Sequence, residues 1–208
     1  ACDGLAGVSA SQVEIQSGIQ FYDGMSTADI QGILVKSASD LIDLDAPNYQ
    51  YVAARLLLFG LRKNLYGRIH ELPTLIDQIT RGVDKGIYDA DILKKYNTDE
   101  INVLDNIIEH NRDYLFTYAG MRQVTDKYLV QDRSTGEVYE TPQFMYMLIA
   151  MTIFAEYPDE TRLDYVTRYY NAISKHKINI PTPIMGGVRT PIRQFASCVL
   201  VDVDDTLD

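Results

Sequence analysis

The sequence predicts a mainly α-helical chain with one β-hairpin past its middle and a single strand near its C-terminus. Three observations carry this. Apolar residues recur at helical spacing along most of the first 175 positions. Residues 125–140 change to a β-branched and aromatic texture around a turn at Ser134, Thr135 and Gly136. Val199, Leu200 and Val201 then form a short apolar run bounded by turn residues, which reads as a buried strand. With 208 residues, 46% of them apolar, the chain can bury one sizeable core.

Residues 9–22 place Val13, Ile15, Ile19 and Phe21 on an amphipathic helix that Asp23 and Gly24 break. Ser26 and Asp29 form a capping box for the next helix, where Ile30, Ile33, Leu34, Ala38 and Leu41 make one core-facing stripe. Pro47 opens a third helix through Asn64, apolar at Val52, Leu56, Phe59 and Leu61. Arg62 and Lys63 lie in its last turn, where the helix dipole favours cations. Residues 67–73 read as a loop. Helices are expected at about 74–84 and 89–95, from the Asn97 cap with Glu100 to His110, and over 112–123 with Phe116, Tyr118 and Met121 inward. Beyond the hairpin, 141–156 is apolar on nearly every face and predicts a buried helix. Residues 159–175, capped by Asp159, carry Leu163, Val166, Tyr169, Tyr170 and Ile173 on one stripe.

A net charge of −10, spread along the chain, argues against a nucleic-acid or anionic-membrane partner, since either needs a basic stripe. The longest apolar run, 144–151, is too short to span a bilayer, and residues 1–10 lack the pattern of a secretion signal. Cys2 and Cys198 sit at opposite ends and form no disulfide framework, which suits a reducing, cytoplasmic compartment. The chain begins without methionine and stops just after a strand whose backbone needs neighbours, so it is expected to be a piece of something larger.

His70, His110 and His176 share no ligand-type spacing, so no metal site is expected. Nucleophile-elbow, phosphate-loop and dinucleotide fingerprints are absent from the sequence. The chemistry concentrates in 180–203, where three prolines, Gly186, Gly187, Arg189 and Arg193 lead to Ser197 and Cys198. Cys198 has two readings. It is a small buried hydrophobe at the edge of a core strand, or a reactive thiol whose thiolate Arg189 and Arg193 favour.

The last segment, PTPIMGGVRTPIRQFASCVLVDVDDTLD, resembles the stretch entering the barrel of class I ribonucleotide reductase large subunits. FYDGMSTADI, APNYQYVAARLLLFGLRKNLYG, KYLVQDRSTGEVYETPQF and TRLDYVTRYYNAIS resemble the N-terminal region of the same family, in the same order, closest to its bacterial and T4-like phage branch. The resemblance implies a partial ATP cone over 1–66, a helical domain with the hairpin over 67–177, and the first strand of a ten-stranded α/β barrel within 178–208.

It also implies roles. Cys198 matches the barrel-strand cysteine that gives reducing equivalents to the substrate ribose, becoming oxidised to a disulfide with a second cysteine. Thr182 and Ser197 match residues that hold the nucleoside diphosphate. Asp205, Thr206 and Leu207 match the start of the specificity site for ATP or deoxynucleotide effectors. Thr27 and Lys63 match the activity site of the ATP cone, although Gln31 and Gly60 stand where the bacterial cone has histidines, and both residues equally suit a helix start and a solvated helix end. Expected partners are the remainder of the large subunit, a radical-generating small subunit that carries the metal-radical cofactor, and thioredoxin or glutaredoxin as reductant. No cofactor is expected in this chain itself. A stand-alone nucleotide-binding regulatory module and a ligand-free helical scaffold are the alternatives.

Overall fold

Side-chain caps set the start of five helices in the computed structural model, which describes residues 1–193 and 195–201. Ser9, Ser26, Thr74, Asn97 and Thr117 each accept a hydrogen bond from the backbone N–H three residues on. Each satisfies a donor that a helix start leaves open. The order is α1 (Ala10–Gly18), α2 (Thr27–Asp40), α3 (Tyr49–Tyr66), α4 (Leu75–Asp84), the single turn α5 (Ile92–Lys95) and α6 (Thr98–Asp105). A 3-10 turn, His110–Leu115, leads to α7 (Tyr118–Gln123), which runs on into a π turn, Val124–Tyr128. α8 (Pro142–Ile153), α9 (Asp159–Ser174) and the short α10 (Thr182–Gly187) follow.

The capping box at Asn97 and Glu100 is complete, with both reciprocal bonds made. At Ser26 it is one-sided, because the Asp29 carboxylate accepts from the Ser26 hydroxyl at 2.6 Å. Several expected helices are shorter, with 9–22 closing at Gly18 and 89–95 reduced to the turn Ile92–Lys95. The helix from Asn97 ends at Asp105, and 112–123 divides between the 3-10 turn and α7.

α3 is the wall between two apolar clusters. On one side Val52 and Ala53, with Tyr49, meet Val13 of α1 and Ala38 of α2. On the other, Ala54, Leu58 and Leu61 join the main core, whose centre is α8. Every residue from Phe144 to Met151 is buried there, as expected of a helix apolar on all faces. α4, α6, α7 and α9 supply Leu75, Ile79, Leu104, Met121, Val166 and Tyr170 around it. Cross-ties fix the surrounding helices. The Leu75 N–H donates to Asp105 at 2.8 Å, and Arg162 of α9 pairs with Glu100 of α6 at 2.5 Å.

Two expectations are corrected. Residues 125–140 contain no hairpin ladder, only the single bridge between Gln131 and Val138. The cause is competition for backbone groups. Leu129 N–H closes the π turn on Val124, Val130 N–H donates to the Glu140 carboxylate at 2.8 Å, and the Tyr128 carbonyl accepts from Arg189 at 3.0 Å. Helix and side chains take the groups a ladder would use. Val199–Val201 form no strand either, and lie 73%, 102% and 72% exposed rather than buried. Among the described residues there is no neighbouring strand to accept their hydrogen bonds. Asp205, Thr206 and Leu207 lie outside the described residues.

Candidate functional site

Pro181, Thr182 and Pro183 start α10, prolines being tolerated in a first turn whose N–H groups have no helical partner. The Thr182 side chain is exposed, with its hydroxyl 3.3 Å from the Tyr128 hydroxyl. It stands at the meeting of two clefts. One, of about 730 Å³, is lined by Phe116, Tyr128, Tyr146, His176 and Asn179. The other, of about 900 Å³, is bordered by Lys127, Arg133, Gly186, Gly187 and Ile192. The contact with Thr182 holds the Tyr128 phenol below its ordinary range, assisted by the Lys127 ammonium 5.4 Å over its ring.

Behind α10 lies a buried polar network. The Arg189 side chain is 1% exposed and the Glu140 side chain 0%. Arg189 Nε donates to both carboxylate oxygens of Glu140 at 3.0 Å, and its terminal nitrogens donate to Glu140, to the Met185 carbonyl and to the Tyr128 carbonyl. Glu140 also accepts from the Tyr88 hydroxyl and the Val130 N–H, each at 2.8 Å. Gln78 donates to the Tyr88 oxygen at 2.8 Å, completing the shell. Burial first, then the Glu140 charge, raises the Tyr88 phenol well above its ordinary value and keeps it a neutral donor.

These contacts correct the thiolate argument for Cys198. Arg189 is enclosed with Glu140, and Arg193 pairs with Asp89 at 2.5 Å. Both guanidiniums already serve carboxylates. Cys198 is exposed and carries a free thiol, its sulfur 3.8 Å from the Ser197 hydroxyl. It is therefore not a small buried hydrophobe at the edge of a core strand. Among the described contacts no hydrogen bond joins Ser197 or Cys198 to Thr182.

Thr27 is the exposed first residue of α2, and Lys63 is exposed in the last turn of α3. α2 and α3 run antiparallel, with Ala38 packed near the start of α3 and Gln31 beside Gly60, so both residues stand at one end of the pair. Gln31 bonds the Leu56 carbonyl at 2.7 Å, and a Cβ on Gly60 would come within 2.9 Å of its side chain. Gln31 thus occupies the room a larger residue at position 60 would need. Beside it opens a cleft of about 660 Å³, bordered by Lys36, Arg81, Lys85 and Arg122 but not by Thr27 or Lys63.

Two of the three histidines pack against aromatic rings, and His70 is exposed. His110 lies against Phe144 with ring centroids 4.9 Å apart, and His176 against Phe116 at 4.7 Å. Burial, then the Arg62 charge, lowers His110 to about 4. Asp113, fully enclosed beside Arg62 at 3.0 Å, is pushed up to about 6 because burial outweighs the arginine. Among the described residues no three His, Cys, Asp or Glu side chains converge as a metal site, and no helix is long and apolar enough to cross a membrane.

Sequence reasoning missed Tyr128, Glu140, Tyr88 and Asp89. Glu140 lies 49 residues before Arg189. The one available signal was an arginine set among turn and apolar residues, which has to find a carboxylate if buried.

Residues 114–193 match the family model described as "Ribonucleotide reductase, all-alpha domain". The whole chain is 53% identical over 208 residues to the ribonucleoside-diphosphate reductase 1 subunit alpha of Escherichia coli, covering 27% of that protein. It is 52% identical to the ribonucleoside-diphosphate reductase subunit alpha of Haemophilus influenzae over 208 residues, again 27% of the relative. The subunit alpha of Enterobacteria phage T4 is 47% identical over 203 residues, which is 97% of this chain and 27% of the relative. The chain thus spans about a quarter of the length of the curated relatives it matches.

Proposed function

Because the chain belongs to the class I ribonucleotide reductase large-subunit family, matching its N-terminal region, we propose that it forms the substrate-approach part of a ribonucleoside-diphosphate reductase. The supporting observation is the segment from α10 to Cys198, where an exposed hydroxyl at the meeting of two clefts precedes an exposed, free thiol. In the proposed reaction the C2′–O bond of the ribose breaks and the hydroxyl leaves as water with one proton drawn from Cys198, while the hydrogen that C2′ gains comes from a second cysteine outside this chain. The two thiols lose two electrons and join as a disulfide, while the carbon they reduce gains a hydrogen. For this the Cys198 sulfur has to stand within hydrogen-bond reach of the 2′ oxygen, and its partner within bridging distance.

Thr182 and Ser197 hold the diphosphate and ribose, whose negative charge the Lys127 and Arg133 rim of the larger cleft complements. In the complete subunit Val199–Val201 pair as the first barrel strand, burying three side chains that are exposed here. Asp205, Thr206 and Leu207 begin the effector-specificity site, and Thr27 and Lys63 belong to a cone-type activity site. The boundaries proposed are 1–66 for the cone-like region, 67–177 for the helical domain, and 178–208 for the lead-in to the barrel. The partners are the rest of the large subunit, a small subunit carrying the metal-radical cofactor, and thioredoxin or glutaredoxin, all in the cytoplasm, the host's if the chain is phage-encoded.

The test is thiol trapping on the assembled enzyme after one turnover without external reductant. Cys198 is expected to be protected from alkylation in proportion to the deoxynucleotide formed. Product formation with Cys198 still free rules out its assigned role.

A further inference from the structure

The buried Arg189–Glu140 pair reaches further than its own stability explains. Enclosing two charges is expensive, and a well-packed apolar pair of the same volume often serves the fold as well or better. What an apolar pair cannot do is fix direction. Arg189 presents its donors in a rigid planar fork: Nε is spent on Glu140, and the two terminal nitrogens each bond a carbonyl of a segment that meets Thr182. One terminal nitrogen holds the Met185 carbonyl inside α10, one turn beyond Thr182. The other holds the carbonyl of Tyr128, whose own hydroxyl meets the Thr182 hydroxyl. The Arg189 carbonyl accepts from Asp89 N–H at 3.0 Å, and the Asp89 carboxylate takes Arg193, so the chain leaving α10 toward Cys198 is pinned as well. Glu140 closes the unit by accepting Val130 N–H, two residues past Tyr128.

We propose that Arg189 and Glu140 are positioning residues for the substrate-holding hydroxyl of Thr182, acting through α10 and through Tyr128. The inference rests on the substrate role given to Thr182 above. It adds that Tyr128 orients that hydroxyl, and that the buried pair orients Tyr128.

The experiment is a set of steady-state and thermal-unfolding measurements on the complete large subunit assembled with its small subunit, using a nucleoside diphosphate as substrate. Thr182→Ala is expected to raise KM. Tyr128→Phe removes one hydroxyl and is expected to raise KM about 3- to 10-fold with kcat within about twofold, the span of one hydrogen bond. Arg189→Lys keeps the charge but not the fork, and is expected to raise KM by about tenfold. In the Thr182→Ala background both further changes are expected to add less than about twofold, the sign of residues acting as one unit. KM unmoved by Tyr128→Phe and Arg189→Lys while Thr182→Ala raises it overturns the inference, and so do effects that multiply independently. If Arg189→Lys does not fold, the Tyr128–Thr182 cycle alone decides. If Thr182→Ala itself leaves KM unchanged, the substrate reading has failed first, and the inference falls with it.

Discussion

Burial beside Arg62 and against the Phe144 ring holds the His110 imidazole at about 4, below its ordinary 6.5. A group with a depressed folded pKa stays neutral in the fold and takes up a proton on unfolding. Its contribution to stability is therefore full above 6.5 and is lost as pH falls through about 4. Asp113 runs the other way. Raised from 3.8 to about 6, it contributes fully below 3.8 and loses that contribution as pH rises through about 6. The two slopes oppose each other across most of that window. Replacing the imidazole by His110→Leu removes one of them. Relative to the parent, the variant is expected to gain about 1–3 kcal/mol between neutral pH and about pH 4.5. Urea unfolding at the two pH values measures the difference, and a gap that does not change with pH rules the assignment out. At this scale the sequence is only partly readable. The capping residues Ser26 and Asn97 announce themselves by spacing, whereas the partner of Arg189 lies 49 residues away and leaves no local trace.

Within α4, helix propensity and packing disagree at Gly82. Alanine there would favour the helix by about 1 kcal/mol on propensity alone. Its Cβ, however, would lie 2.1 Å from a ring carbon of Tyr88, which is buried and tied to Gln78 and Glu140. Packing wins, so Gly82→Ala is expected to destabilise the protein by about 1–3 kcal/mol, read as a lower melting temperature. A higher one would show that Tyr88 can yield. The same contest between local and tertiary preference explains which elements were legible. α8 was readable because all its faces are apolar, and α2, α3 and α9 because one face is. Residues 125–140 were not. Their β-branched texture and Ser134–Gly136 turn give a true local signal, and Gly136 does adopt φ +74°. The side chains of Glu140 and Arg189 then claim the backbone of Tyr128 and Val130, which a ladder would need.

For the whole molecule, the two cysteines set what this chain can do by itself. Cys2 packs against the small α1–α3 cluster and both cysteines are free thiols, and the proposed reaction takes its second thiol from outside this chain. The 208-residue chain, mixed with a small subunit, substrate and reductant, is expected to form no deoxynucleotide. Any product above background would mean that the second thiol is not required. The family and the order of helices α1–α9 were legible, whereas α10 was not, because its prolines and paired glycines read as turns. One further consequence concerns the order in which the protein is made. Glu140 is synthesised 49 residues before Arg189, an interval of about 2–10 s at ordinary elongation rates. Until Arg189 emerges, closing the α8 core would enclose a carboxylate with no cation. The growing polypeptide is therefore expected to keep that region open to solvent, and to commit to its final packing only once the segment leading to Cys198 has itself been made.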